Sequence, residues 1–397
     1  MSNVSATGLR EVDLTRFPIG YHQLHPDIGF NFQLNRFWNW VGEQQMLDEL
    51  AAVGPRLLTY DDWRRELLEL SDRALDQGRR LPAAYYARLA DFYMHHGPQP
   101  DPRSDGAVRR FREIVLAEHG IPDSAHHWVP YQGARLSAYR LTPADPVGSI
   151  VVFGGFDSYI EEWLPFLLAY REAGLDVVAF DGPGQGAVIA EGTPFTGDWH
   201  LPVGALLDYF NLDDVTLHGF SLGGGLVIRA AAYEPRVTNV ISMDICTEFD
   251  KLLGKADPRG LAVLQDNLDT LPAELVNAAA DQARKLNPVA DWLIGFGMRV
   301  TGTTAPRQLF DAFKAFRTPD VSPRVTQNVL LLAGAEDHLV PLQTLGDQQC
   351  TLRSAKSVTA RIFTHTEQAQ NHCQIGNLGL AFTIIADWLN STTPQAT

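Results

Sequence analysis

Gly219-Phe220-Ser221-Leu222-Gly223 sets a serine between two glycines, with an apolar run at 215–218 before it and a small-residue run at 226–232 after it. Strand, G-x-S-x-G, helix is the pattern of a nucleophile elbow. So sharp a turn forces the serine into a strained backbone conformation, and a Cβ at 219 or 223 would meet its neighbours. The gain is a hydroxyl clear of the sheet, at a helix N-terminus whose dipole favours negative charge. Such a hydroxyl attacks a carbonyl only if a base takes its proton and an acid orients the base. On this pattern the chain order is serine, acid, histidine. Asp337 lies just past an apolar run at 329–333 and the Gly334 turn, with Glu336 as its competitor. His372, in Gln370-Asn371-His372-Cys373-Gln374, follows the last strand-like run and shortly precedes the final helix. His365 sits too close to that run, and His218 and His338 read as structural.

A tetrahedral intermediate needs two donors for its oxyanion. The Leu222 N–H follows the nucleophile. The second donor should come from Gly154-Gly155-Phe156-Asp157, where the Phe156 N–H is the first choice and Gly155 the next. Glu248 and Asp244 follow the strand-like run at 237–243. A second acid near Ser221 could protonate a carbanion leaving group if burial raised its pKa. The alternative is that Glu248 caps a lid helix or faces solvent.

These residues need a scaffold. Apolar runs at 149–153, 177–180, 215–218, 237–243, 329–333 and 358–363 alternate with helix-like segments, which predicts a mostly parallel sheet covered on both faces. Runs at 128–131 and 136–141 alternate around Gly133 as a hairpin would. Before them, residues 1–125 are helical in pattern. Phe30, Leu34, Phe37 and Trp40 fall on one helix face, which means core packing or a roof over a substrate cavity. Segments 61–77 and 81–95 form an amphipathic pair, Gly97-Pro98-Gln99-Pro100-Asp101-Pro102 is a linker, and 105–118 is one more helix. Between about 249 and 320 no strand pattern occurs, only helix-like pieces at 259–267, 273–285, 292–299 and 307–316. An insertion there sits above the strands' carboxyl ends, where ligands bind in open α/β sheets, and reads as a lid.

Composition bounds the function. The chain has 397 residues and a net charge of −15, with no basic cluster, which excludes a nucleic-acid binder and disfavours an anionic membrane surface. Three cysteines in no metal spacing suggest a reducing compartment, and the N-terminus lacks an apolar leader, so a cytoplasmic protein without metal or cofactor is expected.

Gly154-Gly155-Phe156-Asp157-Ser158 with Glu161-Glu162, Asp181-Gly182-Pro183-Gly184-Gln185-Gly186, the Gly-x-Ser-Leu-Gly-Gly elbow and Asn371-His372-Cys373-Gln374 together resemble the FrsA-like branch of the α/β-hydrolase superfamily. The resemblance covers about 126–390, and the Phe-x-x-Gln-Leu-x-Arg stretch of the N-terminal part is similar too. Ala187 departs from it, standing where many relatives carry Glu. The branch includes enzymes that cleave a carbon–carbon bond beside a ketone and fungal hydrolases that shorten a polyketide pigment precursor. The resemblance implies the α/β-hydrolase fold with helical N-terminal segment and lid, Ser221, Asp337 and His372 as triad, a homodimer, and an N-terminal segment that helps close the pocket. The expected substrate is a medium-sized, polyketide-like or aromatic small molecule, cleaved at a C–C bond beside a ketone or at an ester. The rivals are a lyase eliminating a small acid such as acetate, and a non-catalytic binding protein on the same fold.

Overall fold

The computed structural model describes residues 8–251 and 267–392, apart from His96 and Pro98. The helix expected at 259–267 falls almost wholly outside them.

Eight strands form one sheet: β1 (His126–Tyr131), β2 (Ala134–Leu141), β3 (Gly148–Phe153), β4 (Leu175–Asp181), β5 (Val215–Phe220), β6 (Val237–Met243), β7 (Asn328–Gly334) and β8 (Ser357–Phe363). Their order is β1-β2-β4-β3-β5-β6-β7-β8. From β4 to β8 neighbours run parallel, while β2 is antiparallel to both β1 and β4. β4, β5 and β7 are buried at every residue, as continuous apolar strands covered on both faces must be. The β1–β2 hairpin turns on Gln132 and Gly133, both at positive φ (47° and 83°), the two-residue turn whose twist matches the strands.

Helices α1 (Ile28–Trp38), α2 (Gln44–Val53), α3 (Tyr60–Asp76), α4 (Arg80–Phe92) and α5 (Ser104–Glu118) make up the N-terminal part. α3 and α4 pack as an antiparallel pair, tied by Trp63 Nε1–H to the Leu89 carbonyl at 2.7 Å. α1 is not the one-sided helix its aromatic spacing suggests. Every residue from Phe30 to Trp38 is buried, Asn31, Gln33, Asn35 and Arg36 included. The helix is wedged between α4 and the loops that follow β3 and β8, so its polar side chains are paid for by hydrogen bonds and ion pairs rather than by water.

α6 (Leu164–Glu172), α7 (His200–Phe210) and α8 (Leu222–Ala231) cover the sheet between β3 and β6. The insertion after β6 carries α9 (Ala273–Leu286), α10 (Pro288–Thr301) and α11 (Pro306–Phe313); α12 (Gln343–Thr351) and α13 (Leu378–Thr392) complete the order. α10 meets the N-terminal part directly: Trp292 Nε1–H donates to the Phe92 carbonyl at 3.0 Å, and its ring stacks on Phe92 and Phe296. Among the described residues no helix is long and apolar enough to cross a membrane.

Candidate active site

β5 delivers Ser221 and α8 begins on the next residue. Ser221 has φ 59° and ψ −124°, a conformation that non-glycine residues rarely hold. A Cβ on Gly219 would strike the Gly223 carbonyl, and one on Gly224 would strike the Asp244 carbonyl, so glycine is required for the elbow to close on itself and on β6.

The loops after β7 and β8 bring two more side chains to that point. His372 Nε2 is 2.8 Å from Ser221 Oγ, and His372 Nδ1 is 2.7 Å from Asp337 Oδ2. Asp337 is held in turn by the Leu339 and Val340 N–H groups, both donating to Oδ1. Glu336 and His365, the competitors in sequence, face each other at the exposed surface, 3.7 Å apart. Ala substitution of His365 and Gln substitution of Glu336 are therefore expected to change kcat/KM by less than roughly twofold, an exposed pair contributing little; steady-state kinetics on an aryl ester checks it.

Asp244 takes a place that spacing did not suggest. It lies behind the histidine rather than in the cavity, with Oδ2 2.9 Å from His372 Nδ1. Its carboxylate accepts the Cys373 N–H at 2.5 Å and the Gln374 side-chain amide at 3.2 Å. Asp244, Cys373 and Gln374 all have positive φ (66°, 51° and 50°), so the backbone bends on both sides of this contact. Burial alone would lower the His372 pKa. Asp337 first, then Cys373 and Asp244, outweigh it and hold the imidazole well above its ordinary value. A base must be neutral to accept a proton, so the acid limb of kcat/KM is expected above pH 6.5, the ordinary histidine value. Asp244→Asn removes one stabilising charge and should move that limb to lower pH; a limb that stays put would separate Asp244 from the titration.

Asp244, His372 and Cys373 also bring an oxygen, a nitrogen and a sulfur within 4.8 Å of one another. Burial pushes the Cys373 thiol up to about 12, and both imidazole nitrogens are engaged. The Asp244 and His372 atoms of this set are engaged in hydrogen bonds.

Gly155 lies against the elbow, where a Cβ would come within 2.7 Å of Ser221 Cβ and 2.9 Å of Leu222 N. Its carbonyl accepts Gln185 Nε2–H at 2.6 Å, and the Gly154 carbonyl accepts the same group at 2.9 Å. A trans peptide points its N–H opposite to its C=O. The Phe156 N–H therefore turns away from Gln185. Among the described residues neither it nor the Leu222 N–H meets a protein acceptor.

Two cavities open at Ser221. One, of about 290 Å³, is walled by Phe92, Tyr93, Phe156, Phe249, Trp292 and His338. The other, of about 20 Å³, is lined by Phe32, Gln33, Arg36, Asp157, Trp163 and Ile375. His338, expected to be structural, thus faces the larger cavity and packs on Phe32, which itself meets the His372 ring. His218 is fully buried, bonded to Tyr170, and driven down to about 3 by burial.

A family model described as alpha/beta hydrolase fold matches residues 148–356. The chain belongs to the alpha/beta hydrolase fold family. It is similar to hydrolyase poxO of Penicillium oxalicum, 27% identical over 332 residues that span 72% of this chain and 77% of the relative. It is also similar to 20-hydroxy-prefusarin hydrolase FUS2 of Gibberella moniliformis, 32% identical over 239 residues, 53% of this chain and 51% of that one. The structure of 2,6-dihydroxy-pseudo-oxynicotine hydrolase superposes with a TM-score of 0.55 at 21% identity, covering 87% of this chain and 92% of the other, a likeness of fold. This alpha/beta hydrolase is an enzyme of the hydrolase type.

Glu248 stands 3.9 Å from Arg317, and the larger cavity is lined by Cys246 and Phe249 on either side of it but not by Glu248. The chain turns between them and carries the glutamate away from Ser221. Glu248→Gln is accordingly expected to change turnover by less than roughly threefold on any substrate, far below what loss of a general acid costs; a tenfold loss confined to one substrate would return it to the chemistry. Gln185, Arg36 and Arg88 were not singled out in the sequence. The signals were Gln185 inside a run of glycines and Arg36 at the end of the Phe-x-x-Gln-Leu-x-Arg stretch, both quoted without a role. Ala187 contributes its N–H, which donates to Asp181.

Proposed function

We propose that this hydrolase cleaves a medium-sized, largely aromatic or polyketide-like ketone or ester with Ser221 as nucleophile, His372 as base and acid, and Asp337 as the orienting carboxylate. The observation that carries the reading is the unbroken hydrogen-bond line from Ser221 Oγ through both nitrogens of His372 to Asp337. Ser221 Oγ bonds to the substrate carbonyl carbon and its proton passes to His372 Nε2. The carbonyl oxygen becomes an oxyanion beside the Leu222 and Phe156 N–H groups. On collapse the bond to the leaving group breaks, and the imidazolium returns its proton to the departing carbon or oxygen. Water then attacks the acyl carbon, giving a proton to His372, and the acid leaves as the imidazolium returns that proton to Ser221 Oγ.

Cleavage of a C–C bond beside a ketone is the first choice within this reading, with ester hydrolysis the second. A carbanion or enolate leaving group must be protonated as it departs. Two carboxylates at one imidazole nitrogen sustain the imidazolium that does so. The aromatic wall supports a flat, unsaturated substrate. Arg36 is the one arginine or lysine among the described lining residues of the two cavities, and it is committed to Asp157 and Glu162, which supports a neutral substrate over a carboxylate or phosphate. A fluorophosphonate probe followed by peptide mass spectrometry tests the nucleophile: labelling of Ser221 is expected, and an unlabelled Ser221 in active enzyme ends the reading. Assay of β-diketones against matched aryl esters tests the bond, the reading expecting turnover of the diketones.

A further inference from the structure

The N-terminal helices do more than wall the cavity. We infer that Arg88 of α4 and Arg36 of α1, together with Gln185, are positioning residues that set the oxyanion-binding N–H of Phe156. The inference rests on Ser221 being the nucleophile.

The loop after β3 has no regular structure between Gly154 and Tyr159, so its own backbone does not fix where the Phe156 N–H points. Side chains from outside fix it. Gln185 holds the Gly154 and Gly155 carbonyls, and its own carbonyl oxygen accepts the Gly182 N–H at 2.9 Å, which ties the loop to the turn after β4. On the far side of Phe156, Arg88 Nη2–H donates to the Asp157 carbonyl at 2.8 Å, and Arg36 Nη1–H donates to the Asp157 carboxylate at 2.9 Å. The two arginines are themselves locked by one buried carboxylate: Glu162 takes Arg36 Nη2–H at 2.6 Å on one oxygen and Arg88 Nε–H at 2.8 Å on the other. Arg88 and Glu162 are buried almost completely, where charge-assisted bonds are stiff and their loss is costly. Phe156 is thus flanked by fixed peptides, Gly155 held from the sheet side and Asp157 from the helical side. An oxyanion donor is effective only if it is aimed before the charge develops. Arg88 lines neither cavity at Ser221, so it acts on the reaction from behind the loop and not by touching substrate there.

Gln185→Met and Arg88→Lys, made in the full-length enzyme, test the inference. Four quantities are measured: kcat and KM for an activated aryl ester, the inhibition constant of an aryl boronic acid that forms a tetrahedral adduct on Ser221, and the melting temperature. The expected result is a fall in kcat of at least about tenfold with KM within about twofold, and boronate affinity lost in proportion to kcat/KM. A role in stability alone would lower the melting temperature and leave that proportionality absent. Folded variants with wild-type kcat and boronate affinity would overturn the inference, as would a loss confined to KM. So would loss of the fold in both variants, since the bonds would then serve folding alone. Failure of the wild-type enzyme to react with the boronate or fluorophosphonate at Ser221 would instead overturn the nucleophile assignment.

Discussion

Ser221→Ala is expected to lower kcat by about 10⁴ to 10⁶, the usual cost of removing a triad nucleophile, and to leave the fold in place. The hydroxyl is only partly buried and its recorded partner is the His372 ring, so its loss opens no core cavity. The strained backbone at φ 59° is imposed by the glycines around it and tolerates alanine as it tolerates serine. The variant should keep the wild-type melting temperature to within a few degrees and bind substrate without turning it over. Circular dichroism and single-turnover kinetics on one preparation decide the matter. Near-wild-type turnover would mean that another group forms the bond.

Removal of residues 1–125 is expected to be as severe, for a different reason. Trp163 packs against Trp40 at one face and Phe220 of the elbow strand at the other, and Phe32 packs on His372. Without the N-terminal helices Trp163 and the elbow beneath it lose their cover and form an exposed apolar patch, and patches larger than a few hundred Å² drive association. Glu161 and Glu162 lose Arg112, Arg36 and Arg88 at the same time. Breaking one buried ion pair costs about 3–5 kcal/mol where the remaining charge stays buried, comparable with the whole stability of an ordinary domain at about 5–15 kcal/mol. The fragment should be insoluble, or soluble and inactive towards even a small aryl ester. A monodisperse, fully active fragment from residue 126 on size-exclusion chromatography would contradict this.

The parallel sheet was legible because buried strands write continuous apolar runs, and the addresses of Ser221, Asp337 and His372 follow from those runs. The hairpin at Gly133 was legible from alternation. Asp244 was visible as an acid after β6, but its direction was not, because it depends on positive φ at Asp244, Cys373 and Gln374, which no side-chain type announces. Glu248 was visible in the same way as an acid after β6, and its residue type does not say which side of the chain faces Ser221. The clamp on the β3 loop joins residues 36, 88, 157, 162 and 185. Nothing local links them, and polar residues on α1 resemble a solvated face until the helix is found wedged.

The ties between the two ends of the chain set the order in which it can be finished. Asn39 accepts the Gly376 N–H, Gly20 donates to the Gly376 carbonyl, and Leu9 donates its N–H to Asn390. During synthesis α1 leaves the ribosome early, yet the acceptors of Arg36 at 157 and 162, and the Gly376 partner of the flanking Gly20 and Asn39, emerge far later. At about 5–20 residues per second the interval before residue 376 appears is tens of seconds. Throughout it, a helix made to be buried on all sides has only the other N-terminal helices to pack against. An element made early is thus among the last to be fully docked, and it is the segment on which the finished site depends.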